Sequence, residues 1–473
     1  MKEDSKRSKR LKVIHLTFCF HPDSMGGTEI YVAGLAKELS KLNVESVIAA
    51  PSTLTNSYVV DGIRVRRFAT HQHISDPSEI YGEGDDLAAQ EFSCVLDDEQ
   101  PDIVHLHAFT SGVSLKVVRA AKVRGIPVVY TYHTPTATCQ RGTMMHWGTE
   151  PCNGLMRLND CARCTLEGIV NSKSVVDSSM SKIGKAGAQL CGSLPAGFGA
   201  FLRKCGLRGG VWTALRMTEL VRLRHSTTQN MLVEVDHVVA VCDWVQQVLL
   251  RNGVPGTKLT LCRQGIAVVA DLSKDNSRAV MTDRTIASSE LRICFLGRLD
   301  PTKGIHILLQ AIRSIPHAAL RLDVYGVAQG KGGRDYEQTL RLLAMGDDRI
   351  EFVPPVPATE IVETLKRYDL LAVPSQWLET GPLVVLEAFA AGVPVIGSRL
   401  GGIVELVEDG VNGLLVEASS VTAWKMSLQR LCLEPKLIES LRSEVKAPRT
   451  MKIVSEEMIS LYEGLVRHTT RQV

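Results

Sequence analysis

The chain has 473 residues, too long for one ordinary domain and suited to about two or three. An apolar content of 45% supports sizeable cores, and 22% charged residues exclude wholesale disorder. A formal net charge of +3 excludes the strongly basic composition of a dedicated nucleic-acid binder, so no nucleic-acid partner is expected.

Residues 1–10 read as a solvated basic tail. No secretory signal is expected, because the apolar run Val13 to Phe20 is short and interrupted by His15. No stretch approaches the ~18 uninterrupted apolar residues of a membrane span. A cytoplasmic location is therefore expected, where twelve cysteines serve as thiols or metal ligands rather than disulfides. Leu11 to Phe18 reads as a strand, Met25 to Glu29 as a glycine loop, Ile30 to Leu42 as a helix and Val44 to Ala50 as a strand. The alternation resumes with a strand at Ile103 to Leu106, a helix from Leu115 to Arg124, and strands at Val128 to Tyr132 and His237 to Val241. Between them, residues 134 to 230 break the pattern and read as an insertion rich in Cys, Gly and Ser, then in Lys and Arg.

A polar stretch at 271–290 reads as a linker between a first unit, 11–270, and a second, 291–473. The second repeats the alternation: strands at Leu291 to Leu296, Leu320 to Tyr325, Ile350 to Val353, Leu370 to Val373 and Val393 to Gly397. Helices are expected at Gly304 to Ile315, Tyr336 to Ala344 and Pro382 to Ala391, with a last helix placed to cross back onto the first unit. Such alternation predicts an α/β protein with two doubly wound parallel sheets, and ligands at the carboxyl ends of their strands.

Two segments of the second unit carry chemistry. In Pro374 to Gly413, Thr380 is placed to cap a helix that Pro382 begins and Gly392 ends, and free amides beside Gly381 offer a phosphate site. Glu387 interrupts the apolar run Leu383 to Ala391, so it either pairs with a buried arginine or faces a ligand. In Phe295 to Gly304, a glycine turn presents Arg298 and Lys303 before a helix. Alone, these read first as two solvated cations at a turn; two fixed cations with a helix start also suit a departing diphosphate.

The combination resembles the retaining glycosyltransferases of the GT-B fold, specifically family 4. The resemblance rests on E-x7-E at Glu379 and Glu387, G-R-L-x-x-x-K-G at Gly297 to Gly304, and A-G-x-P-V-I-x-S at Ala391 to Ser398. It implies that Arg298 and Lys303 hold the diphosphate of a nucleotide-sugar, UDP- or GDP-linked, that Glu387 binds its ribose and that Glu379 contacts its sugar. It further implies that backbone at Gly381, Pro382 and Leu383 touches sugar and phosphate. The first unit resembles the family more loosely, through Gly26-Gly27-x-Glu29 and through His133, which the resemblance places near the reacting carbon as an orienter. The implied acceptor is a saccharide or a lipid-linked molecule. The implied attack comes from the leaving group's own face, so Arg298, Lys303, Glu379 and His133 act by positioning and charge stabilisation. No D-x-D pair stands in position, so no cofactor is expected for catalysis. Where many members carry Asn-Gly-(Val/Ile)-Asp, this chain reads Cys262-Arg263-Gln264-Gly265-Ile266.

Within the insertion, Cys139, Cys152, Cys161 and Cys164 give C-x12-C-x8-C-x2-C, which suits a structural zinc or four separate thiols. From Lys173 to Arg224, Phe198, Phe201, Leu202, Leu207, Trp212 and Leu215 alternate with Arg203, Lys204, Arg208 and Arg216. That mixture fits a peripheral contact with anionic lipid on the inner membrane face, or helices packed on the first unit. His105 and His107 read as structural, although His107 is also placed where it could face the cleft. A nucleotide-sugar epimerase of the same fold and a catalytically silent zinc-bearing scaffold are the competing functions.

Overall fold

The computed structural model describes residues 10–23, 26–71, 77–171, 184–267 and 290–470. The basic tail 1–9, residues 172–183 of the insertion and residues 271–289 of the expected linker lie outside them.

The first unit is built on an eight-stranded sheet. Its order is Leu259–Leu261, His237–Ala240, Val128–Tyr132, Ile103–Leu106, Lys12–Leu16, Glu45–Ser52, Ile63–Ala69 and Asn56–Val60. Every neighbouring pair is parallel except the last, a hairpin. The hairpin is a strand pair the sequence reading passed over. Its signal was Asp61-Gly62, both at positive φ (49° and 79°), the dipeptide that turns one strand back on another.

Side-chain alternation decides what each face of this sheet holds. Ile14, Leu16, Val104, Leu106, Val128 and Tyr130 point to one core. Val13, Ile103, Val129 and Val239 point to the other, covered by the helices Gly27–Lys41 and Met451–Thr470. His15, His105 and Thr131 have the parity of this second set, and the strands end so that His107 and His133 continue it. Met451, Val454, Met458 and Tyr462 of the C-terminal helix belong to the same core, so the last helix of the chain completes the first unit.

The second unit holds a six-stranded sheet ordered Ile350–Val353, Leu320–Val327, Leu291–Arg298, Leu370–Val373, Val395–Ser398 and Gly413–Val416, parallel throughout. Ile293, Phe295, Leu322 and Val324 face the helices Ile305–Arg313 and Val421–Leu433. Cys294, Leu371, Val373 and Val395 face the Leu383–Ala390 helix. The two Rossmann-like units open onto a shared cleft, the α/β arrangement of the GT-B fold.

Candidate active site

The cleft encloses a cavity of about 690 Å³. Gly26, Gly27 and His133 line it from the first unit, and Arg298, Lys303, Glu379, Gly381, Pro382, Leu383 and Glu387 from the second. Residues far apart in the sequence thus share one space, of the size that takes a small ligand.

On the second unit, the strand Leu291–Arg298 ends by exposing Arg298, whose guanidinium makes no hydrogen bond or ion pair among the described residues. Lys303 follows in a short turn, Pro301–Lys303, held by the Asp300 carboxylate, which accepts from Thr302 N at 2.9 Å. Gly304 comes next at φ +69°, and a Cβ there would lie 1.8 Å from the Pro374 carbonyl oxygen. Only glycine lets this turn press against the loop that carries Glu379. Lys303 Nζ consequently reaches Glu379 Oε1 at 2.6 Å, and the same oxygen accepts from Ser375 Oγ at 2.7 Å. The lysine also sits over the Trp377 ring, 5.2 Å from its centroid. The two residues assigned separately to diphosphate and to sugar therefore hold each other.

Thr380 is not the cap of the Leu383–Ala390 helix. The capping position is Pro382, without a side-chain hydrogen bond. Gly381, at φ +105°, turns the chain between them, and Thr380 Oγ1 donates instead to the His133 carbonyl at 2.6 Å, across the cleft. The first amides of the helix stay uncapped where Pro382, Leu383 and Val384 line the cavity, giving it a positive edge. Glu387 lies one turn in, half-buried, with no partner among the described residues, so the paired-arginine reading is set aside. Burial pushes its carboxyl up to about 7.

On the first unit, the Glu29 carboxylate accepts from Gly26 N at 2.8 Å and closes the start of Gly27–Lys41. This fixes the Gly26-Gly27 backbone opposite Leu383; a Cβ on Gly27 would stand 3.9 Å from the Leu383 side chain. His133 is 4% exposed, and burial lowers its imidazole to about 3, so the ring is neutral. His107, read from the sequence as structural, lines the cavity too, and its Nδ1 lies 3.0 Å from His133 Nε2. Gln264, in the segment that departs from the family pattern, also lines the cavity. Thr380 and Trp377 were passed over as site residues because their roles lie in contacts with distant segments.

The four cysteines of the insertion line a separate cavity of about 330 Å³. Cys139 and Cys152 flank the hairpin Met145–His146/Glu150–Pro151, and Cys161 and Cys164 lie in the first two turns of the Leu158–Asn171 helix. Trp147 N and Gly154 N donate to Cys164 Sγ at 3.3 Å and Cys152 Sγ at 3.4 Å. Among the described residues no three of the four sulfurs lie within 4.8 Å of one another; the histidines 15, 105 and 107 do bring nitrogens that close. The hairpin is tied to the second unit, since Leu378 N donates to the Thr143 carbonyl at 3.1 Å, next to Glu379.

The basic insertion divides. Leu202 and Arg216 are buried, the latter bonded to Glu219 at 2.9 Å, so neither belongs to a surface. A buried arginine beside a buried carboxylate is a packing device. Phe198, Phe201, Val211 and Trp212 are exposed, alongside Arg203, Lys204 and Arg208. No helix among the described residues is long and apolar enough to cross a membrane.

Residues 278–447 match the family model described as "Glycosyl transferases group 1", and residues 25–163 match "Glycosyltransferase Family 4". The D-inositol 3-phosphate glycosyltransferase of Saccharomonospora viridis is 33% identical over 217 residues, 44% of this chain and 47% of that protein. That of Rhodococcus jostii is 34% identical over 203 residues, 41% of this chain and 42% of that protein. The chain thus spans about half the length of these curated relatives. Among solved structures, the sucrose-phosphate synthase of Thermosynechococcus elongatus is similar over 97% of this chain and 100% of its own, with a TM-score of 0.63 and 19% identity. The Anabaena protein Alr3699/HepE, solved with UDP and glucose, is similar over 96% of this chain and 100% of its own, with a TM-score of 0.59 and 15% identity.

Proposed function

The chain belongs to the group 1, or family 4, glycosyltransferases, and on that premise we propose that it moves a sugar from a UDP- or GDP-sugar to a saccharide or lipid-linked acceptor with retention of configuration, in building a cell-surface polysaccharide or glycoconjugate. One observation carries the reading: an arginine without an ion pair among the described residues, a lysine and an uncapped helix start converge in a cavity that also holds Glu387, a carboxyl without a partner among them. Arg298, Lys303 and the first amides of Leu383–Ala390 neutralise the diphosphate as the bond from sugar to phosphate oxygen breaks. Glu387, ionised, accepts from ribose hydroxyls. Donor entry draws Lys303 toward phosphate and leaves Glu379, still bonded by Ser375, to take a sugar hydroxyl. The acceptor hydroxyl attacks from the departing side and its proton passes to the leaving oxygen, so no side chain needs to become a base.

A thermal-shift panel of UDP-, GDP- and ADP-sugars tests the donor. A ligand at one hundred times its Kd stabilises the fold by about 2.7 kcal/mol. No shift with any of them would sink the reading. Product analysis by NMR then separates sugar transfer with a retained anomeric configuration from interconversion of the free donor, which would mark an epimerase. Full cellular activity after Glu387→Ala would mark a silent scaffold.

Two attachments complete the proposal. The exposed Phe198, Phe201 and Trp212 with Lys204 and Arg208 form a face for anionic lipid, which brings a cytoplasmic enzyme to the inner membrane surface. Cosedimentation with anionic but not neutral vesicles, lost in Phe201→Ser/Trp212→Ser, is the expected result. Cys139, Cys152, Cys161 and Cys164 take a structural zinc, supported by their shared cavity and by the amides directed at two of the sulfurs. Zinc bonded at about 2.3 Å to each sulfur draws the four closer than they stand here. Purified protein should carry one zinc per chain, absent from Cys161→Ser/Cys164→Ser; a metal-free, fully active wild type would exclude it.

A further inference from the structure

Three neighbouring strands of the first sheet, Lys12–Leu16, Ile103–Leu106 and Val128–Tyr132, bring three imidazoles into line. His133 Nε2 is 3.0 Å from His107 Nδ1, and His107 Nε2 is 3.1 Å from His15 Nδ1. The two outer nitrogens, His133 Nδ1 and His15 Nε2, are buried without a hydrogen-bond partner among the described residues. The rings are 4%, 1% and 0% exposed from His133 to His15, and burial keeps all three neutral. His105 stands beside the row but outside it, its nitrogens bonded at 2.6 Å to Tyr462 Oη and to Thr131 Oγ1.

A neutral imidazole carries one N–H and one lone pair. Each nitrogen–nitrogen contact must hold one proton, so the row has only two polarities. In one, protons point from His133 toward His15; His15 then buries an N–H with nothing to receive it, and His133 presents a bare Nδ1. In the other, protons point from His15 toward His133; the far end is then a bare lone pair, and His133 carries its proton on Nδ1. Either polarity leaves one N–H without a partner among the described residues, and orphaned buried donors are rare. At His133, which lines the cavity, a bound ligand can receive it, whereas His15 lies away from the cavity. We propose that this row locks His133 in the Nδ1–H form, making it a fixed neutral hydrogen-bond donor to the bound nucleotide-sugar, with His107 and His15 as its positioning residues. This rests on the transferase reading of the cavity and deepens it. A bare Nδ1 would be able to take a proton from the acceptor hydroxyl, whereas an Nδ1–H cannot. The row of imidazoles and the cavity at its His133 end together point His133 to holding an electron-rich oxygen of the donor.

The polarity is read directly by long-range proton–nitrogen NMR on the ¹⁵N-histidine-labelled wild-type protein without ligand. His133 protonated on Nδ1 is the expected result. His133 protonated on Nε2 overturns the proposal while leaving the transferase reading untouched. His15→Leu removes the far donor and should give His133 a mixture of the two forms, with kcat lowered about tenfold, the scale of one hydrogen bond, and the donor KM little changed. His15→Gln, which restores a donor to His107, should recover the Nδ1–H form and most of kcat. Wild-type tautomer and kcat persisting in His15→Leu would equally overturn it. Should His15→Leu fail to fold, the wild-type spectrum alone decides.

Discussion

On the first-unit side of the cleft, His133 and His107 are buried, uncharged and bonded to each other. On the second-unit side, among the described residues, Arg298 is exposed without a hydrogen bond or ion pair, Glu387 is half-buried without a partner, and Lys303 meets Glu379 and the face of Trp377. The same Rossmann-like scaffold thus carries neutral imidazoles beside one carboxylate, Glu29, on one wall, and two cations with a carboxyl that has no partner among the described residues, Glu387, on the other. Unmatched charge at a cleft costs stability unless a ligand completes it, so the second wall is organised around an anion that arrives and leaves. The first wall is organised around a group that must be oriented without charging it.

The sharpest way to break this contrast is Lys303→Ala. It should lower kcat/KM about 10³-fold, the loss of a cation aimed at developing charge. It also strands the Glu379 carboxylate, whose side chain is 7% exposed. Lys303→Ala/Glu379→Gln should therefore regain melting temperature but not turnover; kinetics unchanged in the single variant would remove the phosphate role. Arg298→Ala should cost about 10²-fold in turnover with little change in melting temperature, because the exposed guanidinium makes no hydrogen bond or ion pair among the described residues. A large thermal destabilisation would contradict that division.

Glu387→Gln separates cost from use. With its folded carboxyl at about 7 against an ordinary 4.5, the fold holds this proton more tightly than the unfolded chain does. Wild-type stability from this group is complete below pH 4.5 and is lost as pH rises through 7. The glutamine variant should melt higher than wild type above pH 7, yet bind nucleotide-sugar about tenfold more weakly at pH 8. Equal melting curves at pH 8 would place the carboxyl in an easier environment than the structure shows. The histidines run the other way: held neutral with His15 and His133 at about 3, they stabilise above pH 6.5 and cost stability as pH falls below it. Denaturant melts should show a loss on the order of 1–2 kcal/mol per ring by pH 5. The smallest effect is expected from Thr380→Val, which removes the bond tying the donor loop to the His133 carbonyl. About 1 kcal/mol of stability and less than tenfold in turnover should go with it.

Most of the second wall was legible in the sequence because each of its groups lies within a short, ordered segment. Arg298 and Lys303 flank one strand-to-helix turn, and Glu379 and Glu387 flank another. Helix spacing, glycine turns and charge in an apolar run are local signals. The first wall was legible at the Gly26-Gly27 loop and at His133, which ends a clear strand. For His107 an approach to the cleft was open in the sequence, but nothing local decided between that and a structural role. Which of His105 and His107 reaches the cavity depends on where neighbouring strands stop, and both share a face of one strand. Thr380 was misread for a related reason: a threonine before a proline-led helix has the composition of a cap, while its hydroxyl's partner lies 247 residues away.

By itself the sequence determined the alternation of strands and helices, the two parallel sheets and the positive edge of the cleft, because periodicity and turn chemistry act over a few residues. Only the tertiary structure decided that Lys303 is held by Glu379, that Thr380 bridges the units, and that Tyr462 of the returning last helix bonds His105 beside the histidine row. These are meetings between segments whose separation along the chain carries no record of their distance in space. Sheet register and domain packing bring them within hydrogen-bond reach.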